Sequence, residues 1–464
     1  MNDLPNNAAD SGDSDQGALT VTLPIGAANF RLIREYGLYY ADKTKFLYPI
    51  VKAPLPYFLS RPRRFGKTLL LETLECILRG QKDLFKGLWI DQSNYRWTPY
   101  PIIRLEMNKV VENDVETMKE TLSHQLAEVA KNEGVENLEK NSPKIMLGDL
   151  INSLYQDTHQ TVAILIDEYD APIVEHLSDP PLAEKFRDAL REFYGILKTN
   201  VKATGHIFVT GVSRFTQTSI FSKLNNLNDL TFNRDYAAIC GLTAADLEVL
   251  LSDREARTLE ILIKEGCLPP ESDGRDLRRT IRNWYDGYTW DGETRVYNPW
   301  SVLSALNKAE ISSDWYTSGT PNFLRQLGAK VLQDPEWINN IPDIQETDTY
   351  IDEIDKIPPE VLLLQAGYLT IKDIFYDGQS REFSLEVPNL EVKAALWPLA
   401  QALDLVDDKG TAQKWAEKTL DCLLKLDALG VEEAFSFYLN QFKHPSFKTN
   451  ESQYQIFLET AFRL

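Results

Sequence analysis

RPRRFGKT, residues 61–68, is the stretch of this sequence that decides the predicted fold. It ends in Gly-Lys-Thr, follows a short apolar run at 55–59 and precedes a helical pattern at 68–78. In the general phosphate-binding loop, G-x-x-x-x-G-K-[ST], backbone N–H groups surround the phosphates, the lysine meets the β and γ oxygens, and the hydroxyl binds Mg²⁺. The order of strand, loop and helix therefore predicts a phosphate-binding loop.

The loop departs from the general pattern at its first position, where Arg61 replaces glycine. A basic turn that caps the following helix is the alternative, because Gly-Lys-Thr also occurs by chance. The preceding strand and the helix N-terminus, which favours anions, support the phosphate loop. We predict that ATP is bound by Arg61, Arg63, Arg64, Phe65, Gly66, Lys67 and Thr68. Of these residues, Lys67 is also predicted to be catalytic and Thr68 to be a magnesium ligand.

Two carboxylates follow another apolar run further along the chain. Asp167 and Glu168 come directly after residues 162–166, which have the composition of a buried strand. Ligands of open α/β sheets bind at the carboxyl ends of the strands, so both side chains would lie at that edge. Such a pair is often only a solvated turn, but here it accompanies the loop. We predict that Asp167 is a magnesium ligand and that Glu168 is the general base that polarises water.

A third polar segment follows the apolar run at 206–210. We predict that Ser213 senses the γ-phosphate and positions water, and that Arg214 stabilises charge as a further catalytic residue. A plain polar strand end is the alternative, since loops at such ends are generally polar. ATP is favoured over GTP because no N-K-x-D motif follows a strand; the nearest match, at 307–310, ends in glutamate.

The composition is that of a globular protein with several domains. The chain has 464 residues, of which 43% are hydrophobic and 25% are charged, and single cores stop growing at roughly 250–300 residues. Its formal net charge of −20 would repel a nucleic-acid backbone, so nucleic acid is not the favoured partner. No apolar run is long enough to suggest a membrane span. The cysteines show neither zinc nor disulfide spacing.

The pattern along the chain predicts four segments. Residues 1–20 are polar and acidic, which is typical of a disordered tail rather than a signal peptide, and we expect a cytoplasmic protein. Strands alternate with helices over 21–240, which predicts an α/β domain with a mainly parallel sheet and helices on both faces. Helical patterns dominate 241–400, and residues 401–464 are again expected to be helical.

Two further expectations concern short β-segments. Residues 236–240 are predicted to form a last strand of the first domain. Two alternating segments, at 368–374 and 382–387, are predicted to pair as a small β-ribbon inside the otherwise helical region.

With these motifs in place, the chain resembles the AAA-ATPase-like family of bacterial and archaeal proteins that usually carry a C-terminal nuclease of the PD-(D/E)XK type. The likeness covers about residues 24–400. It rests on motifs in family order: YADKT at 40–44, RPRRFGKT at 61–68, LIDEYD at 165–170, TGVSRF at 210–215, SIFS at 219–222, LNN at 224–226, WYDGY at 284–288, VYNPW at 296–300 and QAGYL at 365–369.

The resemblance implies a P-loop NTPase core followed by a helical or winged-helix-like region. It also implies that arginine at position 61 is normal for this family and that the nuclease elements would lie beyond residue 464. Within the chain, Asp373, Asp377, Glu391 and Lys393 imitate a nuclease pattern of carboxylates and lysine around Mg²⁺. The Pro-Asn helix start before Glu391 argues against that alternative, because the nuclease pattern ends a strand.

Asp42, in the YADKT motif, is a further predicted nucleotide contact, with a helix cap as the alternative. The aromatic segment 284–300 is predicted to be packed core rather than a stacking surface. These features favour an ATP- and Mg²⁺-dependent switch or motor that couples nucleotide state to a partner, by self-association or through an effector protein, in DNA processing or defence. A non-hydrolysing scaffold and a magnesium-dependent nuclease are the alternatives.

Overall fold

The computed structural model describes residues 21–136, 138–215, 220, 227–313, 340–351, 353–376, 378 and 380–395. The predicted tail at 1–20 and the predicted helical segment at 401–464 lie outside these residues. Five strands form the central sheet, in the order β2-β3-β4-β1-β5: β1 (Pro56–Ser60), β2 (Ile102–Glu106), β3 (Val162–Asp167), β4 (Thr204–Gly211) and β5 (Asn228–Asp229).

All pairs of neighbouring strands in this sheet are parallel, so the predicted parallel sheet is confirmed. Every residue of β1 and β3 is buried, as is all of β4 except its first residue. Strands covered on both sides have no polar face, which explains why they appear in the sequence as unbroken apolar runs. The order places β4 between β1 and β3, so the loops after these three strands meet at one edge.

The described helices lie around this sheet and in the region after residue 240. They are α1 (Phe30–Glu35), α2 (Thr44–Lys52), α3 (Lys67–Leu78), α4 (Val115–Asn132), α5 (Pro143–Thr158), α6 (Ala171–Val174), α7 (Pro180–Tyr194), α8 (Ile196–Thr199), α9 (Ala244–Leu251), α10 (Glu255–Lys264), α11 (Gly274–Tyr285), α12 (Pro299–Lys308) and α13 (Pro359–Ala366). Among the described residues, no helix is long and apolar enough to cross a membrane.

The edge strand β2 is protected by side chains of α4. Gln125 accepts a hydrogen bond from the Glu106 amide at 3.1 Å and donates one to the Glu106 carbonyl at 3.0 Å. Glu133 accepts from the Ile102 amide at 3.3 Å. An exposed edge strand would otherwise offer these groups to another chain. The sheet is therefore closed to pairing at both ends of β2.

The region after residue 240 combines helices with a second, smaller sheet. The strands β6 (Ile344–Gln345), β7 (Thr370–Tyr376) and β8 (Arg381–Glu386) pair antiparallel in the order β6-β8-β7, which we call the small sheet. The predicted β-ribbon is thus confirmed as the hairpin β7-β8. The strand predicted at 236–240 is wrong, because the chain forms a 3-10 turn at Arg234–Tyr236, with Asn233 as its N-cap, and then continues as irregular structure.

Two hydrophobic clusters hold these elements together. The larger cluster joins the parallel sheet to the small sheet, and includes Phe58, Leu165, Ile371 and Phe383. The second is formed mainly by α9 to α12 and also receives residues near the start of the described chain. The predicted boundary at residue 240 remains a proposal. The core contacts do show that the small sheet packs on the same core as the strands of the parallel sheet.

Candidate functional site

The phosphate loop joins β1 to α3 and has the backbone that the motif requires. Gly66 has φ 89°, a left-handed conformation that glycine adopts without strain, and Arg64 has φ 69°. The helix α3 then begins at Lys67 without any side-chain hydrogen bond at its N-cap. Its first N–H groups are left to whatever binds in the loop, and the helix dipole favours an anion there.

Lys67 lies inside the curve of this loop. Its side chain is buried, and the ammonium group donates to the carbonyl oxygens of Arg61 at 2.9 Å and Pro62 at 3.0 Å. These are neutral acceptors, so the charge itself is not balanced by them. Thr68, the second residue of α3, is half-buried at the same end of the helix. The loop thus presents a cation and a hydroxyl beside free helix amides.

The side chain of Arg61 points into the fold. The guanidinium is fully buried, donates to the carbonyls of Ser60, Thr231 and Tyr236, and lies 4.0 Å from the ring centroid of Trp290. Burial lowers the pKa of Arg61 to about 10. The predicted contact between this side chain and ATP finds no support in the arrangement, because its donors hold the base of the loop. The contact of Arg61 with Lys67 is made by its backbone carbonyl.

The aromatic segment predicted as core packs directly under the loop. Phe65 is buried and makes edge contacts with the rings of Tyr288 at 4.7 Å and Trp290 at 5.4 Å between centroids. The guanidinium of Arg64 lies 4.3 Å from the Trp300 ring centroid. Phe65 and Arg64 therefore connect the loop to the region after residue 240, and Phe65 is a packing residue rather than an exposed contact.

Asp167 stands at the end of β3, as predicted, and is linked to the neighbouring strand. Its carboxylate is buried and accepts a hydrogen bond of 2.6 Å from the hydroxyl of Thr210, at the end of β4. The first loop residue after β1 also joins this edge, since the Arg61 amide donates to the carbonyl of Gly211 at 3.2 Å. The ends of β1, β4 and β3 thus meet, which is the edge where open α/β sheets bind ligands.

Glu168 occupies a strained and partly desolvated position. Its φ is 51°, a left-handed value that costs a non-glycine residue of order 1–3 kcal/mol and is common at functional sites. Burial raises the pKa of the Glu168 carboxyl, and the nearby negative charges of Asp167 and Asp170 raise it further. Lys67 and Arg63 lower it. The charges of Lys67 and Asp167 are therefore close enough to act on Glu168.

Asp170 and Tyr169 shape the site, although the sequence pattern did not single them out for this role. The buried Asp170 carboxylate accepts from the amides of Val212 at 3.1 Å and Ser213 at 2.6 Å, and burial raises its pKa. The hydroxyl of Tyr169 donates to the carbonyl of Ser213 at 3.0 Å and accepts from the Phe215 amide at 2.9 Å. Together they fix the loop after β4.

Gly211 is the residue in the sequence that could have indicated this close packing. A Cβ atom there would lie 2.5 Å from the Tyr169 ring and 2.7 Å from an Asp170 oxygen, so no larger residue fits. Ser213 itself is buried in the loop that these residues hold. Its predicted role as a γ-phosphate sensor stays a prediction, and the structure places it in the loop that leads away from the end of β4.

Arg214 and Asp42 are both engaged by protein groups. The Arg214 guanidinium is buried, forms an ion pair with Asp229 at 2.5 Å and hydrogen bonds to Thr349. Asp42 accepts from the amide and hydroxyl of Thr44 and from the Trp89 amide. The second arrangement is a contact at the start of α2, but Asp42 is not the helix cap that was its alternative role, because Lys43 is the N-cap residue. Neither side chain has the surroundings expected of a direct phosphate or base contact.

A mostly apolar cavity adjoins the loop at Gly66. Its walls come from the segment before β1, from the start of α3, and from the chain after residue 238, and they include Tyr39, Tyr40, Lys43, Leu70, Leu242 and Leu303. Burial lowers the pKa of Lys43, whose ammonium lies 3.8 Å from Asp246. The cavity combines aromatic rings with one buried donor directly beside the phosphate loop.

The comparison with known proteins agrees with these motifs. The family model described as Predicted AAA-ATPase matches residues 24–221. A protein of Azotobacter chroococcum mcd 1, described as an uncharacterized protein in the vnfD 5' region, is 32% identical over 432 residues, which cover 92% of this chain and 79% of the relative. The chain belongs to the predicted AAA-ATPase family.

Two solved structures also resemble this chain loosely. The Aeropyrum pernix ORC1 protein in complex with DNA has a TM-score of 0.29 and 15% identity, with 77% of this chain and 91% of that chain covered. Cdc6p from Pyrobaculum aerophilum has a TM-score of 0.27 and 11% identity, with 80% and 94% covered. Scores this low add nothing to the family assignment.

The nuclease pattern inside the chain gains no support. Glu391 is fully buried and accepts a 2.8 Å hydrogen bond from Ser301, whereas Asp373 and Lys393 are exposed. Asp377 lies outside the described residues. In the part of the chain that the structure describes, no group of three or more His, Cys, Asp or Glu side chains could hold a metal ion. A nuclease fused beyond this chain remains a prediction.

Proposed function

We propose that this AAA-ATPase binds ATP with Mg²⁺ at the 61–68 loop and hydrolyses it, with Glu168 as the general base. The observation that carries the proposal is the meeting of three strand ends, which brings both Lys67 of the loop and Asp167 within electrostatic reach of Glu168. A binding loop alone would need no strained carboxylate at this edge. In hydrolysis, the Glu168 carboxylate would orient the attacking water and accept its proton.

The loop residues fit a phosphate chain. The uncapped N-terminus of α3 supplies backbone donors, and Lys67 supplies a cation whose present partners are neutral carbonyls. Arg63, half-buried in the loop, is the arginine best placed to add charge, since it already acts on Glu168. On phosphate binding, Lys67 would exchange its carbonyl partners for charged oxygens, which form stronger hydrogen bonds.

The oxygen ligands at the strand ends also fit a magnesium ion that is bound as in other nucleotide-binding enzymes. Mg²⁺ is usually held by one or two carboxylates together with phosphate oxygens and water rather than by a complete protein cage. Asp167 and the hydroxyl of Thr68 would hold it here. When bound, the ion neutralises charge on the phosphate oxygens.

Glu168 is suited to act on water for two reasons. Its raised pKa makes the carboxylate a better proton acceptor than the carboxylate of an exposed glutamate. Its left-handed backbone fixes its direction at the strand end. Thr210 and Asp170 hold the neighbouring groups in place through Asp167 and the loop after β4.

The cavity beside Gly66 is the proposed site for the base. The rings of Tyr39 and Tyr40 and the aliphatic walls match the flat apolar faces of a purine, and the position next to the phosphate loop suits a nucleotide in one orientation. The cavity measures only ≈ 80 Å³, so a purine would have to move its walls apart on binding. In this proposal Tyr40 and Lys43 replace Asp42 as the base contacts from the YADKT motif. The protein is proposed to act in the cytoplasm, where its nucleotide state would be passed on by self-association or through an effector protein.

Calorimetric titration of ATP into the protein tests the binding part. Lys67→Ala should weaken ATP binding by about 100-fold, because one cation–phosphate contact is worth about 2–3 kcal/mol. Lys45→Ala is the matched control, since Lys45 is exposed on α2 and should bind like the wild type. Equal affinity of both variants would exclude the loop as the phosphate site. Binding without any turnover would favour the non-hydrolysing scaffold.

A further inference from the structure

The loop after β4 is fastened to the segment that leads into the small sheet. Arg214 is 1% exposed, and its Nη2 and Nε atoms donate to the same Asp229 oxygen at 2.5 and 3.2 Å. Its Nη1 donates to the hydroxyl of Thr349. The guanidinium lies 4.1 Å from the Tyr350 ring centroid and 4.6 Å from that of Phe232. One side chain therefore joins two distant parts of the chain.

Main-chain contacts make the same connection. The Ile351 amide donates to the carbonyl of Arg214 at 3.2 Å. Thr349 in turn donates to the Glu346 carbonyl at 2.6 Å, and its own carbonyl accepts from Gln365 of α13 at 2.8 Å. Since α13 leads directly into β7, the contact at Arg214 continues into the small sheet through ordinary hydrogen bonds.

The other end of this connection is the proposed nucleotide site. Arg214 follows Ser213, whose amide is held by Asp170, and lies four residues after Thr210, which is bound to Asp167. A shift of Asp167 or Asp170 on nucleotide binding would be passed to the loop that carries Arg214. Contacts between packed elements transmit such shifts because a well-packed core does not deform continuously.

The structure also leaves room for this side chain to change position. A cavity of ≈ 390 Å³ adjoins Arg214 and is bordered by Tyr350, Glu346 and Arg381. A guanidinium that was enclosed on every side by core would be fixed. Here the cavity beside the guanidinium provides space into which the side chain can move if its contacts with Asp229 and Thr349 are exchanged.

We propose that Arg214 is a positioning residue that couples nucleotide occupancy at the β3 and β4 strand ends to the small sheet, acting through Thr349 and Tyr350. This inference rests on the proposed function, because the coupling needs a bound nucleotide. It assigns Arg214 a different role from the predicted charge stabiliser. It also identifies the small sheet as the part of the protein whose state reports nucleotide binding to a partner.

Hydrogen exchange of the whole protein with and without adenylyl imidodiphosphate, a non-hydrolysable ATP analogue, tests the coupling. In the wild type, the analogue should change the exchange rates of peptides covering 344–351 and 381–386 by about threefold or more. Thr349→Val keeps the shape of the side chain but removes the hydroxyl, and should abolish most of this change while the affinity for the analogue stays the same. Thr370→Val is the matched control, because Thr370 is a buried threonine of the small sheet whose hydroxyl contacts Thr289 instead.

Tyr350→Leu gives an independent test, since Tyr350 is only half-buried and its ring contacts Arg214 from another side. It should reduce the change in the same peptides even if Thr349→Val fails to fold. A full nucleotide-induced change in both folded variants would overturn the proposal, as would no change in a wild type that binds the analogue. A wild type that does not bind the analogue in calorimetry would instead overturn the proposed function.

Discussion

The hydroxyl of Thr210 donates a 2.6 Å hydrogen bond to the buried carboxylate of Asp167, and this contact joins the ends of β4 and β3. Hydrogen bonds to charged groups are stronger than neutral ones, and a buried carboxylate that loses one is left with an uncompensated charge. The contact therefore fixes the direction of the proposed magnesium ligand.

Replacing Thr210 by valine should remove this bond while the shape of the side chain is kept. We expect the free energy of unfolding to fall by about 2 kcal/mol, because Asp167 stays buried without its donor. Urea unfolding measures the change. Thr210→Ser keeps the hydroxyl and should therefore keep most of the stability that Thr210→Val loses. Equal stability of Thr210→Val and the wild type would show that Asp167 does not depend on this contact.

Mutations of Arg61 and Arg63 in the phosphate loop should affect different properties, namely stability for Arg61 and ATP affinity for Arg63. Arg61→Ala removes a buried guanidinium with three carbonyl partners and a ring contact, and should lower the free energy of unfolding by about 3 kcal/mol. Arg63→Ala, at a half-buried position, should change it by about 0.5 kcal/mol or less. ATP affinity should instead fall for Arg63→Ala. Similar unfolding curves for both variants would contradict the assigned roles.

Tyr169→Phe should loosen the loop after β4. It removes the hydroxyl that bonds the Ser213 carbonyl and the Phe215 amide, and leaving such groups unsatisfied costs about 1–3 kcal/mol. We expect a slower ATP hydrolysis with nearly unchanged ATP affinity, measured by steady-state turnover and calorimetry. Tyr155→Phe is the control, since Tyr155 is an exposed tyrosine of α5. Equal turnover of both variants would argue against a role for the loop.

The pH dependence of hydrolysis follows from the environment of Glu168. Burial raises its pKa above the ordinary value of 4.5, so protonation begins at a higher pH than for an exposed glutamate. Protonated Glu168 cannot accept a proton from water, and turnover should therefore be lost as the pH falls through this raised pKa. A pH–rate profile with an acidic midpoint at or below 4.5 would disagree with the buried position.

The sheet and the phosphate loop could be predicted because their signals are local. Strands that are buried on both faces appear as short apolar runs, and the Gly-Lys-Thr end of the loop fixes its place between a strand and a helix. The apolar run before Asp167 likewise predicted a strand that ends at this residue. Here the residue types and their order were sufficient.

The side-chain contacts of Arg61 and Arg214 could not be predicted in this way. Their partners lie far along the chain: Arg61 meets Trp290, and Arg214 meets Asp229 and Thr349. An arginine in a polar loop is equally compatible with a phosphate contact or a buried structural one until the packing is known. The wrong prediction of a strand at 236–240 has a related cause. The apolar residues of this segment are buried by packing on the phosphate loop and not by strand pairing.

ATP turnover by Glu168→Gln is the measurement that tests the account most directly. The variant keeps the size and polarity of the side chain but cannot act as a base, so ATP should bind with wild-type affinity while hydrolysis falls by about 10²- to 10⁴-fold. Glu175→Gln, at an exposed glutamate nearby in the chain, should hydrolyse ATP like the wild type. Wild-type turnover by Glu168→Gln would contradict the assignment of the general base and with it the proposed hydrolytic site.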